Sequence, residues 1–253
     1  MSDQGFDDRE FDGRVALVTG AAGMGIGQAC ARRLAAGGAT VVVTDSHERR
    51  TGEVTDAIRA DYPKAVVVGH VLDVGRRDDI DRVVAAVAAD LGPIRHVVNN
   101  AAVNWAGAVW DYDLEQFDRT MAVNLTGPWY LCRQTMPMMR AAGGGTIVNI
   151  SSGAADEGGR FGTEGVYAMT KGGLETMTVA LAADGGPHNI RVNTLATGIV
   201  YPTKFIVDHP DQYERGRSTA IMGSYPTPAE VAEVVAFLLS DRSSHVTSAR
   251  LKI

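Results

Sequence analysis

The chain is 253 residues long, 45% hydrophobic and 21% charged, which suits one sizeable core and one domain. A formal net charge of -6, with no cluster of Lys and Arg, excludes a nucleic-acid partner, because displacing counterions from phosphates needs concentrated positive charge. Cys30 and Cys132 stand alone, without CxxC or Cys/His ligand spacing, so no metal site is expected and both read as buried thiols in a reducing compartment.

Residues 1–12 are acidic and lack the basic start and apolar stretch of an export signal; they read as a flexible tail before a domain at 13–253. No apolar run reaches the roughly 20 residues that span a bilayer, so a cytoplasmic protein without a membrane partner is expected. Short β-branched runs then alternate with longer helical patterns. RVALVT (14–19), TVVVTD (40–45), AVVVGHVLD (65–73), IRHVVNN (94–100), GTIVNISS (145–152) and NIRVNTL (189–195) are apolar on both faces, as strands between two helical layers must be. Helical patterns fill 26–37, 48–60, 77–91, 113–141 and 165–184. Parallel neighbours need a crossover, and a helix supplies it. The alternation therefore predicts an α/β fold: a single doubly wound, Rossmann-type domain with a parallel seven-stranded sheet and helices on both faces. The stretch 200–225, broken by Pro202, Pro210 and Pro226, reads as a substrate lid. Pro228 and Glu230 open a last helix by first-turn logic, and a short strand follows it.

The turn after the first strand, VTGAAGMGIGQA, carries Gly20, Gly23, Gly25 and Gly27 where a strand meets a helix. Backbone N–H groups at such a helix start can hold a phosphate, and glycines let the backbone approach it. Gly25 to Gly27 should begin the helix while Ala22 to Met24 bulge above it. The second strand ends in Asp45, 18 residues beyond Gly27, near the offset at which a carboxylate accepts hydrogen bonds from ribose hydroxyls. A carboxylate there repels a 2′-phosphate, which favours NAD over NADP, although His47, Arg49 and Arg50 nearby temper that preference. In YAMTK, Tyr167 and Lys171 are four apart and face one site from a helix. A neighbouring ammonium is expected to lower the phenol pKa toward a value useful for proton transfer.

These residues together resemble the short-chain dehydrogenase/reductase family over nearly the whole chain from residue 13. The carriers are the loop at 19–27, Asp73-Val74 after the third strand, Asn99-Asn100-Ala101-Ala102 after the fourth, Asn124 in VNLTG, Ser152 in NISS, and Tyr167 with Lys171. The resemblance implies that Tyr167 is the general acid or base, that Ser152 hydrogen-bonds the substrate oxygen, that Lys171 holds the nicotinamide ribose, and that Asn124 positions a water linking Lys171 to bulk. It further implies cofactor contacts at Gly20, Gly23, Met24, Gly25, Ile26, Gly27, Asp45, Asp73 (at the adenine), Val74, Asn100, Ala101, Val200 and Thr203, besides Tyr167 and Lys171. Each has a plainer reading: Asn124 as a helix-interrupting residue bonded to backbone, and Ser152, Asp73 and Asn100 as strand-end turn formers.

Four departures from the family pattern stand out. Four residues, Ala21 to Met24, separate Gly20 from Gly25, where the family has one fewer. The Ser152–Tyr167 interval is long, which suggests an extended loop on the substrate side. Thr197-Gly198 stands for Pro-Gly, with Pro202-Thr203 reversed, and the chain ends in RLKI without Asp-Gly-Gly. Candidate pocket residues Val103, Trp105, Ala154, Phe161, Tyr201, Phe205 and Met222 are mostly apolar. A small-molecule secondary alcohol or ketone with an alicyclic or steroid-like frame is therefore expected. The extra loop residue, DSHERR and the missing terminal glycines look like a branch of the family acting on ring fragments in steroid breakdown. The alternatives are a 3-oxoacyl-thioester reductase and, from another class, a non-catalytic dinucleotide sensor or scaffold. The helices at 113–141 and 165–184 resemble the family's dimerising pair, which implies a homotetramer, with a dimer as the alternative.

Overall fold

The computed structural model describes residues 9–158, 164–208, 213 and 220–253, without the side chains of 204 and 205. In chain order the elements are β1 (Val15–Val18), α1 (Ile26–Ala36), β2 (Thr40–Asp45), α2 (Glu48–Asp61), β3 (Val67–Val71), α3 (Arg77–Leu91), β4 (Ile94–Asn99), α4 (Leu114–Met121), a π-helical turn (Ala122–Thr126), α5 (Gly127–Ala141), β5 (Gly145–Ser152), α6 (Ala154–Glu157), α7 (Gly165–Gly185), β6 (Ile190–Thr197), α8 (Lys204–Asp208), α9 (Pro228–Leu239) and β7 (Arg250–Lys252). The strands form one seven-stranded sheet, ordered β3-β2-β1-β4-β5-β6-β7, and every pair is parallel.

Alternation along the strands explains the two helical layers. Ala16, Val18, Val41, Val43, Val98, Val148 and Leu195 join a core with α1 and α9, whereas Val15, Leu17, Val42, Val97, Ile147 and Val192 join the opposite core with α3 and α5. Strand order reverses between β1 and β4, so the crevice at their C-terminal ends is the fold's natural ligand position. Both cysteines are buried and free, and burial pushes each thiol up to about 12.

One expectation needs correction. Residues 9–12, read as part of a flexible tail, are packed: Phe11 is fully buried, its N–H donates to Gly37 O across 2.9 Å, and its ring meets His96 edge-on. Gly37 makes that possible, because a Cβ there would come within 2.6 Å of the Phe11 ring. The helix expected over 113–141 runs without interruption from Leu114 to Ala141, with one π-helical turn at 122–126 that includes the buried Asn124. The last helix begins as expected at Pro228, and Thr227 with Glu230 completes a capping box. Its C-terminal end is held by Arg191 of β6, which donates to Leu238 O at 2.8 Å and Ser240 O at 2.9 Å, a cation at the negative end of a helix.

Candidate active site

The glycine turn leaves β1 with Gly20 at φ 62°, seated on Ala101: a Cβ on Gly20 would lie 2.8 Å from Ala101 Cα. Gly27 is just as confined, since its Cβ would fall 2.5 Å from both Gly20 O and Asn100 Nδ2. Asn100 stitches the ends of β1 and β4 together. Its Nδ2 donates to Thr19 O (2.9 Å) and Gly20 O (3.0 Å), while its own N–H and that of Ala101 donate to Thr19 Oγ1. The side chain of Thr19, the first residue of the loop at 19–27, thus organises the crevice.

Helix α1 starts at Ile26 with Gly25 as its N-cap. It has no side-chain cap and no acidic residue in its first turn, so its first N–H groups and positive dipole end remain available to an anion. Gly23 has open space around it and Met24 is exposed, so this backbone suits a pyrophosphate. The bulge is shorter than expected, because Ala22 is buried and its N–H donates to Asp45 Oδ2 across 3.2 Å. Asp45 also accepts from His47 N–H, and Arg50 Nη2 lies 3.9 Å from its Oδ1. Arg49 instead pairs with Glu53, one helical turn on.

Among the other expected contacts, Asp73 Oδ1 accepts from Gly75 N–H and faces Arg119 Nη1, each at 2.9 Å. Val74 is buried, with its carbonyl packed against Gly127. Val200 is also buried, and Thr203 stands over the glycine turn, its Cγ2 3.8 Å from where a Cβ on Gly25 would be.

Across the crevice, β5 and α7 bring Ser152, Tyr167 and Lys171 together. Ser152 Oγ accepts from Ala154 N–H across 3.2 Å and is near enough to the Tyr167 hydroxyl to favour its ionised form, and Lys171 Nζ lies 5.4 Å from the centre of the Tyr167 ring. Lys171 is buried and donates to Ile150 O across 2.8 Å. Burial pushes its ammonium down to about 8, partly opposed by Glu175. Burial also pushes the Tyr167 phenol up to about 12, with Ser152 opposing and Glu164 adding to the rise. The expected lowering by Lys171 is therefore not met: the ammonium lies against the ring and a backbone carbonyl, and desolvation of the phenolate dominates.

Asn124, 1% exposed, spends its amide on protein partners. Oδ1 accepts from Val103 N–H (2.9 Å), while Nδ2 donates to Val103 O (2.8 Å) and Thr170 Oγ1 (3.2 Å). Thr170 in turn donates to Tyr167 O at 2.7 Å. The plainer reading of Asn124, a residue bonded to backbone, thus describes its side chain, and the clamp it forms links the β4 loop to the tyrosine helix.

Beyond Ser152, charged residues of β7 hold both flanking elements. Asp156 on α6 receives Arg250 at 2.9 Å and Lys252 at 2.7 Å. Arg250 also meets Glu175 of α7 at 2.7 Å, and Glu175 accepts from Ser151 Oγ, again at 2.7 Å. Of the candidate pocket residues, Val103, Trp105 and Ala154 are partly buried near this site; Met222 is 88% exposed and lines no enclosed pocket. Tyr201 stacks on Tyr213, with ring centres 4.7 Å apart. Phe161 and the Phe205 side chain lie outside the described residues.

A family model described as enoyl-(acyl carrier protein) reductase matches residues 20–253. A trans-4-hydroxycyclohexanecarboxylate dehydrogenase of Sinomonas cyclohexanicum is 34% identical, over 95% of this chain and 91% of that protein. The chain belongs to the short-chain dehydrogenase/reductase family. Another relative in this family, at 33% identity over 94% of this chain and 90% of its own length, is the (5R,7aS)-5-hydroxy-7a-methyl-1-oxo-2,3,5,6,7,7a-hexahydro-1H-indene-carboxyl-CoA reductase of Mycobacterium tuberculosis. Among solved structures, L-sorbose reductase of Gluconobacter frateurii, in complex with NADPH and L-sorbose, matches with a TM-score of 0.88 and 26% identity over 97% of both chains. The short-chain dehydrogenase/reductase family binds a nicotinamide dinucleotide, and the uncapped start of α1 fits that group.

Proposed function

We propose that the protein is an NAD-dependent dehydrogenase of secondary alcohols, or reductase of the corresponding ketones, acting on an apolar alicyclic or steroid-like substrate. The observation that carries this reading is the Ser152–Tyr167–Lys171 cluster beside a glycine turn with an uncapped helix start. Gly20, Gly23, Met24, Gly25, Ile26 and Gly27 would hold the pyrophosphate, Asp45 the adenosine ribose, Asp73 and Val74 the adenine, and Asn100 and Ala101 the middle of the cofactor. Tyr167 and Lys171 would meet the nicotinamide ribose, and Val200 and Thr203 the nicotinamide. The bound nicotinamide supplies or accepts the hydride.

This chain's own residues handle the proton and the charge. Ser152 Oγ donates to the substrate oxygen, where negative charge develops during reduction. Tyr167 Oη delivers the proton in reduction and takes it in oxidation. Lys171 would hold the nicotinamide ribose, and Asn124, which fixes the loop at Val103, would position a water linking Lys171 to bulk. Asp45 favours NAD, with Arg50 as the residue that would soften the preference. The names of relatives acting on ring compounds support the alicyclic frame. A second reading, reduction of a 3-oxoacyl thioester, draws on the enoyl-(acyl carrier protein) reductase description and on the relative named for a CoA thioester. The exposed Trp129, Met169 and Val179 on α5 and α7 support pairing into a homotetramer. We place the protein in the cytoplasm; no helix among the described residues is long and apolar enough to cross a membrane.

The test is nicotinamide absorbance with NAD and NADP against alicyclic, steroid and acyl-thioester substrates, comparing wild type with Tyr167→Phe. Loss of the phenol should reduce kcat by at least about 100-fold. Activity that survives it sinks the mechanism, and preference for NADP overturns the role given to Asp45.

A further inference from the structure

Asn104 and Glu164 approach the reaction centre from different elements and meet there. Asn104 follows Val103, whose N–H and C=O are both held by the Asn124 amide, so the loop leaving β4 is fixed at this point. Glu164 is the N-cap residue of α7, three positions before Tyr167. The two side chains are joined by Asn104 Nδ2 donating to Glu164 Oε1 across 2.9 Å.

The Glu164 side chain makes no cap hydrogen bond to its own helix and is given to Asn104 instead. Asn104 Oδ1 is buried and has no hydrogen-bond partner among the described residues. Leaving a buried acceptor unpaired is costly, and packing alone gives no reason to bear that cost. The joined pair thus holds acceptor capacity beside the phenol, where Glu164 is close enough to act electrostatically on Tyr167.

We propose that Asn104 and Glu164 form a polar subsite that recognises a second hydroxyl of the substrate, one or two carbons from the reacting carbinol. The substrate class is then a diol, or in the other direction a hydroxy ketone, on an otherwise apolar frame. This rests on the dehydrogenase reading above. An amide oxygen and a carboxylate are both acceptors, so the group they select must donate a hydrogen bond. The carboxylate strengthens that bond and disfavours an anionic substituent at the same place. Neither side chain takes part in moving the hydride or the proton. Trp105, next to Asn104, supplies an apolar neighbour for the frame.

The experiment compares kcat/KM for NAD reduction with cyclohexanol, 1,2- and 1,3-cyclohexanediol and the monomethyl ethers of both diols, in wild type, Glu164→Ala and Asn104→Ala. The ethers keep the oxygen and lose the donor. Wild type should prefer at least one diol over its ether by about tenfold or more, because a site with buried acceptors rejects an analogue that leaves them unpaired. In each variant that ratio should fall to within about threefold of unity. The ratio is internal to each enzyme, so if one variant fails to fold the other still decides the matter. Equal turnover of diol and ether by wild type, or a preference unchanged in a folded variant, overturns the subsite and leaves the dehydrogenase reading standing. A wild-type enzyme that oxidises none of these alcohols, nor any substrate in the wider panel, overturns both.

Discussion

The glycine turn and the Tyr167 cluster face the same end of the sheet and are made of opposite materials. The turn offers backbone: Gly20 and Gly27 touch protein atoms so closely that no side chain fits, while Gly23 opens outward. The cluster offers side chains held by protein partners, Ser152 by Ala154 N–H, Lys171 by Ile150, and Asn124 by Val103 and Thr170. The first site is damaged by adding atoms and the second by removing them. A phosphate is large, diffuse in charge and always present, so a rigid backbone cradle suffices. A proton has to be placed on one atom, which requires named side chains held from several directions.

The sharpest way to break the comparison is Gly27→Ala. One added methyl would press on a backbone carbonyl and on the amide that ties β1 to β4. We expect a loss of about 3 kcal/mol in urea unfolding, at the upper end of overpacking costs, together with loss of NAD binding in a titration. A variant of wild-type stability would show that the cradle is looser than these distances imply.

Next in size is a pH effect that belongs to the side-chain site alone. Lys171 is depressed from 10.5 to about 8, so between those values the unfolded chain binds a proton that the folded chain does not. Stability should therefore rise with pH across that window, by roughly 2–3 kcal/mol in total. Tyr167 acts in the other direction: raised from 10.0 to about 12, it favours the folded state below 10 and loses that contribution as pH climbs through 12. Urea midpoints measured from about pH 8 to 10 should climb for wild type and lose that climb in Lys171→Met. An identical slope in the two proteins would mean that the ammonium is better solvated than its burial indicates.

The smallest expected effect sharpens the contrast from within the turn. An added Cβ on Gly23 meets nothing within 4 Å. Gly23→Ala should therefore shift stability by no more than about 0.5 kcal/mol while raising the KM for NAD. If KM stays the same, the cofactor does not lie over this glycine, and Gly25 and Ile26 carry the pyrophosphate instead.

What the sequence made legible follows the same division. β2 over Thr40–Asp45, α3 over Arg77–Leu91 and β5 over Gly145–Ser152 fall where their apolar patterns end, because both faces of each strand and one face of the helix are decided locally. The Tyr167–Lys171 pair was equally visible, since an i, i+4 spacing on a helix is a local fact. Partners that arrive from far along the chain were not. The partnership of Thr19 with Asn100, of Arg119 with Asp73 and of Thr170 with Asn124 has no local signature. The order of effects on the phenol was hidden for the same reason: burial is a tertiary quantity and outweighed the nearby ammonium. The packing of Phe11 depends on room left by Gly37, and the π-turn at Ala122–Thr126 is one extra residue in an otherwise continuous helix, which the apolar pattern does not mark. One local signal, Thr227 three residues before Glu230, was present and passed over.

The charged end of the sheet gives the site a sensitivity that neither region has alone. Lys252 is 65% exposed and Asp156 45%, so ions in solution screen their attraction over a Debye length of about 8 Å at physiological strength. The Arg250–Glu175 pair, at 25% and 18%, is better sheltered and persists to higher salt. Rising ionic strength therefore weakens the Lys252–Asp156 contact first, while Arg250 still joins Asp156 of α6 to Glu175 of α7. One arginine at the sheet's edge is thus the salt-resistant tie between the elements on either side of the reaction centre.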